Sequence, residues 1–169
     1  MLNPIDAGRV IRHRQVSGRF PTDLHQGVAW WVAACFVVAT KATRMAVAHD
    51  DHRVTAEFHH RFLQGAVNAQ HWACHVSDLG TATDRQLLDA MDHLGGIPGA
   101  HLATKPTENN LIVTIRLYAA DGRALDEDTG LARIRDMISH DRVPIPVNTD
   151  AKGKVTDHSS LVTTRGGAA

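Results

Sequence analysis

The residue types best suited to chemistry in this chain lie in one short segment, His49-Asp50-Asp51-His52. Imidazole nitrogens and carboxylate oxygens bind transition metals in proteins, which makes His49, Asp50 and His52 candidate metal ligands. No other cluster in the sequence has a spacing that would complete such a site. We therefore favour a solvated loop over a metal centre here, and we expect no cofactor.

The remaining histidines and the cysteines offer weaker candidates. His59 and His60 are neighbours in a predicted helix, where adjacent side chains point about 100° apart, so they do not chelate one ion together and should be surface residues. Cys74 has a histidine on either side, but a Cys–His nucleophile needs an exposed and activated thiolate. Cys35 and Cys74 both lie in apolar runs, and we expect reduced core residues at both positions.

The overall composition excludes several classes of function. A chain of 169 residues, 43% of them hydrophobic, suits one domain with a core. Lysine plus arginine equals aspartate plus glutamate at 18 each, so no net charge attracts nucleic acid or an anionic membrane. The longest apolar run, 28–39, would rise only about 18 Å as a helix, against roughly 30 Å of bilayer hydrocarbon. Because no secretory leader is visible either, we expect a cytoplasmic protein.

Hydrophobic periodicity alternates between strand and helix patterns along the chain. The predicted elements are a helix from the start signal Pro21-Thr22-Asp23, a strand over Arg44–Ala48, a helix capped by Thr55, a strand over Trp72–Val76, a helix behind the capping box Thr83–Gln86, strands over Gly99–Ala103 and Leu111–Ala119, and a helix over Asp126–Ile138. Repeated strand–helix units followed by a strand pair predict a layered α/β/α domain with a mostly parallel, mixed sheet.

The composition changes after Ile138, where prolines interrupt the chain and a polar stretch follows. We expect residues 1–143 to form the α/β domain, with about nine loose residues at the N-terminus, and residues 144–169 to form a polar tail. Trp30 and Trp31 are consecutive in the first long predicted helix and cannot face the same way. One indole belongs to the core, and the other is equally consistent with the core and with an interface.

Several short motifs occur here in the order in which a known family carries them. They are Gln15-Val-Ser-Gly18, Val47-Ala-His-Asp50, Val76-Ser-Asp-Leu-Gly80, His93-Leu-Gly95 and Ala120-Asp-Gly-Arg123. On these motifs the chain resembles the first domain of the α-D-phosphohexomutases, the phosphoglucomutase/phosphomannomutase family. The resemblance covers roughly residues 14 to 160, and Lys154–Asp157 resembles the linker that enters the family's second domain. It implies that domain's α/β fold and an intramolecular phosphotransferase family of carbohydrate metabolism.

The departures from the family pattern fall on its chemistry. Counting back from Ala120-Asp-Gly-Arg123 without a gap places Pro106 on the serine that carries the phosphoryl group, Thr107 on the neighbouring histidine and Arg116 on the catalytic lysine. Ser17 stands where the N-terminal motif has arginine. Proline has neither a hydroxyl nor a backbone N–H, and arginine is not deprotonated near neutral pH. We therefore expect no catalytic residues at these vestigial positions.

The favoured function is that of a pseudoenzyme, which acts by self-association or by binding a partner protein such as an active phosphohexomutase. The alternative is a phosphate or sugar-phosphate sensor, because two hydroxyls and two cations could hold a phosphate. Its ligand-binding residues would be Thr104, Lys105, Thr107 and Arg116. A residual role related to intramolecular phosphotransfer is a further alternative. We expect no nucleic acid and no membrane among its partners.

Overall fold

The computed structural model describes residues 5–68, 73–145 and 152–166. Within these ranges the chain forms seven strands, which are β1 (Ile11–Arg12), β2 (Gln15–Phe20), β3 (Arg44–His49), β4 (His75–Thr81), β5 (Gly99–Pro106), β6 (Leu111–Tyr118) and β7 (Val155–Asp157). The same ranges contain the helices α1 (Ala7–Val10), α2 (Gln26–Thr40), α3 (Arg53–Val67), α4 (Asp84–His93), α5 (Ala132–Ser139) and α6 (Ser159–Gly166), with a π-helical turn over Glu127–Leu131 before α5.

All the described strands belong to one mixed sheet with the order β1-β2-β6-β5-β3-β4-β7. Strands β5, β3, β4 and β7 run parallel to one another, whereas β1, β2, β6 and β5 pair antiparallel. The parallel half is built from two strand–helix units, and the antiparallel half includes the hairpin that joins β5 to β6. The predicted α/β class with a mixed sheet is confirmed.

Alternation along β3 separates two cores, one on each face of the sheet. Met45 and Val47 are buried in the larger core, which also takes its side chains from α2, α3 and α5. Ala46 and Ala48 are buried in the smaller core, beside residues of α4. Successive side chains of a strand point to opposite faces, so these two cores lie on opposite faces of the sheet. Since each core includes helix residues, helices cover both faces and the domain is layered α/β/α.

Helix α2 is the central element of the larger core. Every side chain from Trp31 to Val37 is buried, so its sequence is apolar almost all round rather than along one stripe. Helix α3 packs closely on it at Gly65, where a Cβ atom would lie only 2.3 Å from the Trp30 carbonyl oxygen. The backbones of α2 and α3 are therefore in close contact at this point, because Gly65 has no side chain.

Two predicted helix starts are wrong, in both cases because a side chain has another partner. Helix α2 begins at Gln26 rather than near Asp23, since the Asp23 carboxylate accepts hydrogen bonds from Arg19. Helix α3 is capped by His52, whose Nδ1 accepts from the Val54 N–H at 3.1 Å. Thr55, the predicted cap, lies inside the helix and is fully buried.

The last helix of the core is shorter than predicted. Asp126 caps a π-helical turn, and the regular helix begins only at Ala132. Between them Gly130 has a φ of 148°, a conformation that is open mainly to glycine. The single helix that the sequence predicts over Asp126–Ile138 is therefore interrupted at Gly130.

The second parallel strand also differs from its predicted bounds. Strand β4 begins at His75, and Trp72, the predicted first residue, lies outside the described residues. Ser77–Gly80, which the sequence predicted as the exit from the strand, is part of it. The chain beyond residue 151 returns to the sheet, where β7 pairs parallel with β4. At the other end, Ala7 and Val10 of α1 are buried in the larger core.

Among the residues described, no helix combines the length and the apolar composition needed to cross a bilayer.

Candidate functional site

Pro106, on the expected position of the phosphorylated serine, is the last residue of β5 and pairs with Leu111 of β6. It is exposed, and a tight turn follows it: the Thr107 N–H donates to the Asn110 carbonyl at 2.7 Å. The Thr107 hydroxyl donates to the same carbonyl and accepts from the Asn110 N–H. The hairpin therefore presents a proline and a hydroxyl that is already engaged in the turn.

Thr104 faces the protein interior rather than solvent. Its hydroxyl lies 2.6 Å from the hydroxyl of Thr55 in α3, and the two residues are 7% and 0% exposed. Its N–H donates to the Asp50 carboxylate at 2.8 Å. A carboxylate bound at this N–H would repel a phosphate. The N–H and the hydroxyl of Thr104 therefore both serve the fold.

Arg116, on the expected position of the catalytic lysine, is held by an acidic residue of α4. Its guanidinium donates to Asp84 Oδ2 at 3.0 Å, and the Tyr118 hydroxyl donates to Asp84 Oδ1 at 2.6 Å. Burial, together with the hydrogen bond to Asp84, raises the pKa of Tyr118 to about 12. Arg116 thus acts as an ion-pair partner in a small polar network.

Strand alternation keeps Thr104 and Arg116 apart. Arg116 pairs with His101 of β5, and Thr104 lies three residues further along the same strand. An odd spacing places two residues on opposite faces of a sheet. Lys105 follows Thr104 and shares the face of Arg116, and it is exposed. The structure therefore does not gather the four predicted phosphate-binding residues on one face.

Ser17, the remaining vestigial position, is also part of the sheet. It pairs with Thr114 of β6, and the two hydroxyl oxygens lie 3.0 Å apart. Such a cross-strand hydroxyl pair stabilises the sheet.

The segment that holds the candidate metal ligands His49, Asp50 and His52, for which the sequence favoured a solvated loop, is divided between two roles. Asp50 accepts from the His52 N–H and from Thr104, and His52 caps α3. His49 instead points toward α3, because it lies two residues after Val47 on the face of the larger core. The structure thus separates His49 from the other two candidates and brings it to residues of other elements.

His49, His59 and Asp78 form a half-buried cluster, which we call the histidine–aspartate cluster. One ligand atom from each residue lies within 4.8 Å of the others. His59 Nε2 is 3.0 Å from Asp78 Oδ1, and the two imidazole rings have centroids 4.1 Å apart. The cluster lies where β3 ends, beside β4 and under α3, and ligands of α/β sheets commonly bind outside the carboxyl ends of parallel strands.

The electrostatics of the cluster favour an ionised carboxylate. Burial by itself raises the pKa of Asp78, but the hydrogen bond and charge of His59, the Gly80 N–H and the charge of His49 outweigh it. The pKa of Asp78 is lowered as a result. The Gly80 N–H donates to Asp78 Oδ1 at 3.1 Å and fixes its orientation.

Sequence reasoning missed His59 and Asp78, which the prediction treated as a surface residue and a residue of the strand exit. The register of β3 and β4, together with strand alternation, brings them to His49. Val47 aligns with Asp78 in the parallel register, so Asp78 and His49 share a face. The crossover helix between two parallel strands must cover one face of them, and His59 projects from that helix.

A groove lies at the surface of α2 and α3, with a volume of about 580 Å³. Trp31 is buried and makes an edge-to-face contact with His25, whereas Trp30 is half-buried. Both indoles line the groove. Val143 and Ile145 complete its apolar side. One indole belongs to the core as predicted, and the other, for which the sequence left core and interface open, is partly exposed at the groove.

Both cysteines are free, buried thiols. Cys35 and Cys74 are at most 1% exposed, and burial raises the pKa of each thiol to about 12. His75, beside Cys74, is exposed and accepts a hydrogen bond from the Lys154 N–H. Among the described residues, no histidine is hydrogen-bonded to the buried Cys74 thiol, and His71 lies outside them.

Comparison with known proteins gives a likeness of structure alone. No protein-family model and no curated protein matches this chain. Among solved structures, it is similar to a phosphoglucomutase/phosphomannomutase family protein from Burkholderia thailandensis, with a TM-score of 0.68 and 16% identity. The match covers 90% of this chain and 33% of that one, so this chain spans about a third of its length. The α/β fold is therefore that of a phosphohexomutase domain, as the motifs predicted.

Proposed function

We propose that this chain is a non-catalytic, phosphoglucomutase/phosphomannomutase-like module that acts by binding a second copy of itself or a partner protein. One observation carries the proposal: the vestigial positions offer no free nucleophile or proton carrier. Pro106 has no hydroxyl, Arg116 is paired with Asp84, and the Ser17 hydroxyl is paired with Thr114. The layered fold persists while the chemistry does not, which suits a module that works through its surface.

The groove beside Trp30 supports the binding part of the proposal. Tryptophan is enriched among the residues that dominate protein interfaces, and a partly buried indole provides a large apolar contact. Ile145, which lines the same groove, is 67% exposed and is therefore available to a partner. By analogy of fold, an active phosphohexomutase is a natural partner and would link this chain to carbohydrate metabolism.

The catalytic part is tested with the purified chain and glucose 1-phosphate or mannose 1-phosphate. We expect no formation of the 6-phosphates, because no hydroxyl lies at position 106. The Pro106→Ser variant should be equally inactive, since Arg116 remains unable to transfer a proton. Turnover by the wild-type protein that persists through a further purification step would overturn the proposal.

The binding part is tested by sedimentation velocity over a wide concentration range and by affinity capture from native extract. Ile145→Ser changes the groove, and Val155→Ser changes an exposed apolar residue of β7 outside it. We expect the first variant to weaken association and the second to leave it unchanged. A monomer that captures nothing, or equal behaviour of the two variants, contradicts the proposed surface.

The alternative function, a phosphate or sugar-phosphate sensor, has less support. Thr104 and Arg116 lie on opposite faces of the sheet, and the Asp50 carboxylate occupies the Thr104 N–H. Calorimetric titration with inorganic phosphate and glucose 6-phosphate distinguishes the two functions. We expect no heat of binding and no rise in melting temperature. Saturable binding that is lost in the Lys105→Ala variant would favour the sensor.

A further inference from the structure

We propose that the histidine–aspartate cluster, His49, His59 and Asp78, binds one divalent transition-metal ion of the zinc type. The three side chains come from β3, α3 and β4, and their ligand atoms lie within 4.8 Å of one another. This site differs from the loop that the sequence suggested, because Asp50 and His52 are engaged within the fold. It is also independent of the vestigial positions in the β5–β6 hairpin.

The spacing of the ligand atoms suits a tetrahedral ion. Zinc lies about 2.0–2.1 Å from imidazole nitrogen and carboxylate oxygen, which places two ligands about 3.3 Å apart. The His59–Asp78 separation of 3.0 Å is close to that value, and the remaining separations stay within 4.8 Å. Small rotations of the imidazole of His49 therefore suffice to bring all three atoms to one ion.

The surrounding hydrogen bonds already orient the ligands. His49 Nδ1 lies against the Asp50 carbonyl oxygen, and because a carbonyl only accepts, Nδ1 carries the proton. His49 Nε2 then keeps its lone pair for a metal, which is the usual arrangement in histidine metal sites. The Gly80 N–H donates a hydrogen bond to the Asp78 carboxylate and so orients the third ligand.

The proton balance of binding is simple at His59. Without an ion, His59 Nε2 donates its proton to Asp78 Oδ1. A bound ion takes the place of this shared proton between the same two atoms, and a neutral His59 ring then carries its proton on Nδ1. The single negative charge of Asp78 offsets part of the charge of the ion, which favours a divalent cation over a neutral ligand.

The donor set selects the class of ion. Two imidazole nitrogens and one carboxylate suit zinc, iron(II), cobalt(II) or nickel(II), whereas magnesium and calcium prefer oxygen ligands alone. Three protein ligands on a half-buried surface leave a fourth position for water. The site therefore resembles an open zinc centre rather than a closed structural one.

The experiment uses the untagged chain of 169 residues after treatment with a chelator. Zinc is titrated by calorimetry, and cobalt(II) is added in parallel to follow its visible absorption. We expect one saturable site, a higher melting temperature with zinc, and ring-proton shifts of His49 and His59 in NMR spectra. Two variants remove ligands, His59→Gln and Asp78→Asn, and each should weaken zinc binding by at least about tenfold.

His60→Gln is the matched control, since His60 is the exposed neighbour of His59 on the same helix. It should bind zinc as the wild type does. Circular dichroism and melting without metal establish that each variant is folded, and His49→Gln replaces any that is not. The proposal fails if the wild type shows no saturable binding, or if His60→Gln loses as much affinity as His59→Gln.

Discussion

The hydroxyl of Thr104 in β5 is hydrogen-bonded to the hydroxyl of Thr55 in α3 across 2.6 Å of the protein interior. Thr104 is one of the four residues that the sequence suggested for binding phosphate. In this chain it joins a strand to the helix above it, and the Asp50 carboxylate holds its N–H. Thr104 is therefore a fixed part of the core and does not face a ligand site.

Thr55→Val should destabilise the protein by about 1–3 kcal/mol, because it leaves the buried Thr104 hydroxyl without its partner. The measurement is the free energy of unfolding in urea. The double variant Thr55→Val/Thr104→Val removes both hydroxyls at nearly constant shape. It should recover most of the loss, since an apolar pair has no unsatisfied group. Simple addition of the two single effects would contradict a direct interaction.

Asp23→Asn should destabilise the protein at neutral pH and have a smaller effect in acid. The side chain and the backbone N–H of Arg19 bind the Asp23 carboxylate and, against the effect of burial, lower its pKa to about 2. A lowered pKa gives stability that is present above the unfolded-state value of about 3.9 and is lost as the pH falls toward 2.

Urea unfolding of wild type and Asp23→Asn at pH 7, 5, 4 and 3 checks this dependence. The difference in the free energy of unfolding between the two proteins should be the same at pH 7 and pH 5 and should become smaller below pH 4. Asp92→Asn, at an exposed position of α4, is the control and should change stability little at neutral pH. A difference that grows as the pH falls would show that the Arg19–Asp23 pair does not stabilise the fold.

Gly65→Ala should be one of the costlier small substitutions in this chain. The added methyl group would lie 2.3 Å from the Trp30 carbonyl oxygen, so α2 and α3 must separate, at a cost of about 1–3 kcal/mol. Gly8→Ala adds the same methyl group in α1, where its nearest neighbour, Asp6 Oδ1, would be 3.6 Å away. Thermal melting should show a clear loss for the first variant and little change or a gain for the second.

The two cysteines should resist alkylation in the native state. Burial raises the pKa of Cys35 and Cys74 to about 12, so few thiolates exist at pH 8 and reagents cannot reach them. Mass spectrometry after brief exposure to iodoacetamide should find both thiols unmodified, and both labelled once denaturant is added. Rapid labelling of Cys74 in the folded protein would show that the segment around it opens easily.

Sequence patterns predicted an element correctly where all the residues that determine it lie in one short segment. The capping box was predicted from Thr83 and Gln86, and both of its hydrogen bonds are present at 2.9 and 3.1 Å. Strand β3 extends one residue beyond its predicted end at Ala48. The start of α2 was wrong because the interaction that holds Asp23 comes from a residue of the preceding strand, which helix-start rules do not consider.

The site was less predictable because its parts are distant in sequence and meet only through packing. His59 precedes Asp78 by 19 residues and lies on a different element. Periodicity shows which face of α3 is apolar, but it does not give the rotation of the helix over the strand ends. His59 lies at the border of that apolar face, where a small rotation decides between solvent and the sheet.

Strand β7 has a consequence for any shortened version of this protein. It covers the outer edge of β4 through three residue pairs, and the His158 N–H adds a bond to the Asp78 carbonyl. A fragment cut at residue 143 would expose the amides and carbonyls of β4 along that edge. Bare strand edges recruit other chains. Such a fragment should aggregate, because part of the segment that composition predicts as a polar tail covers this edge.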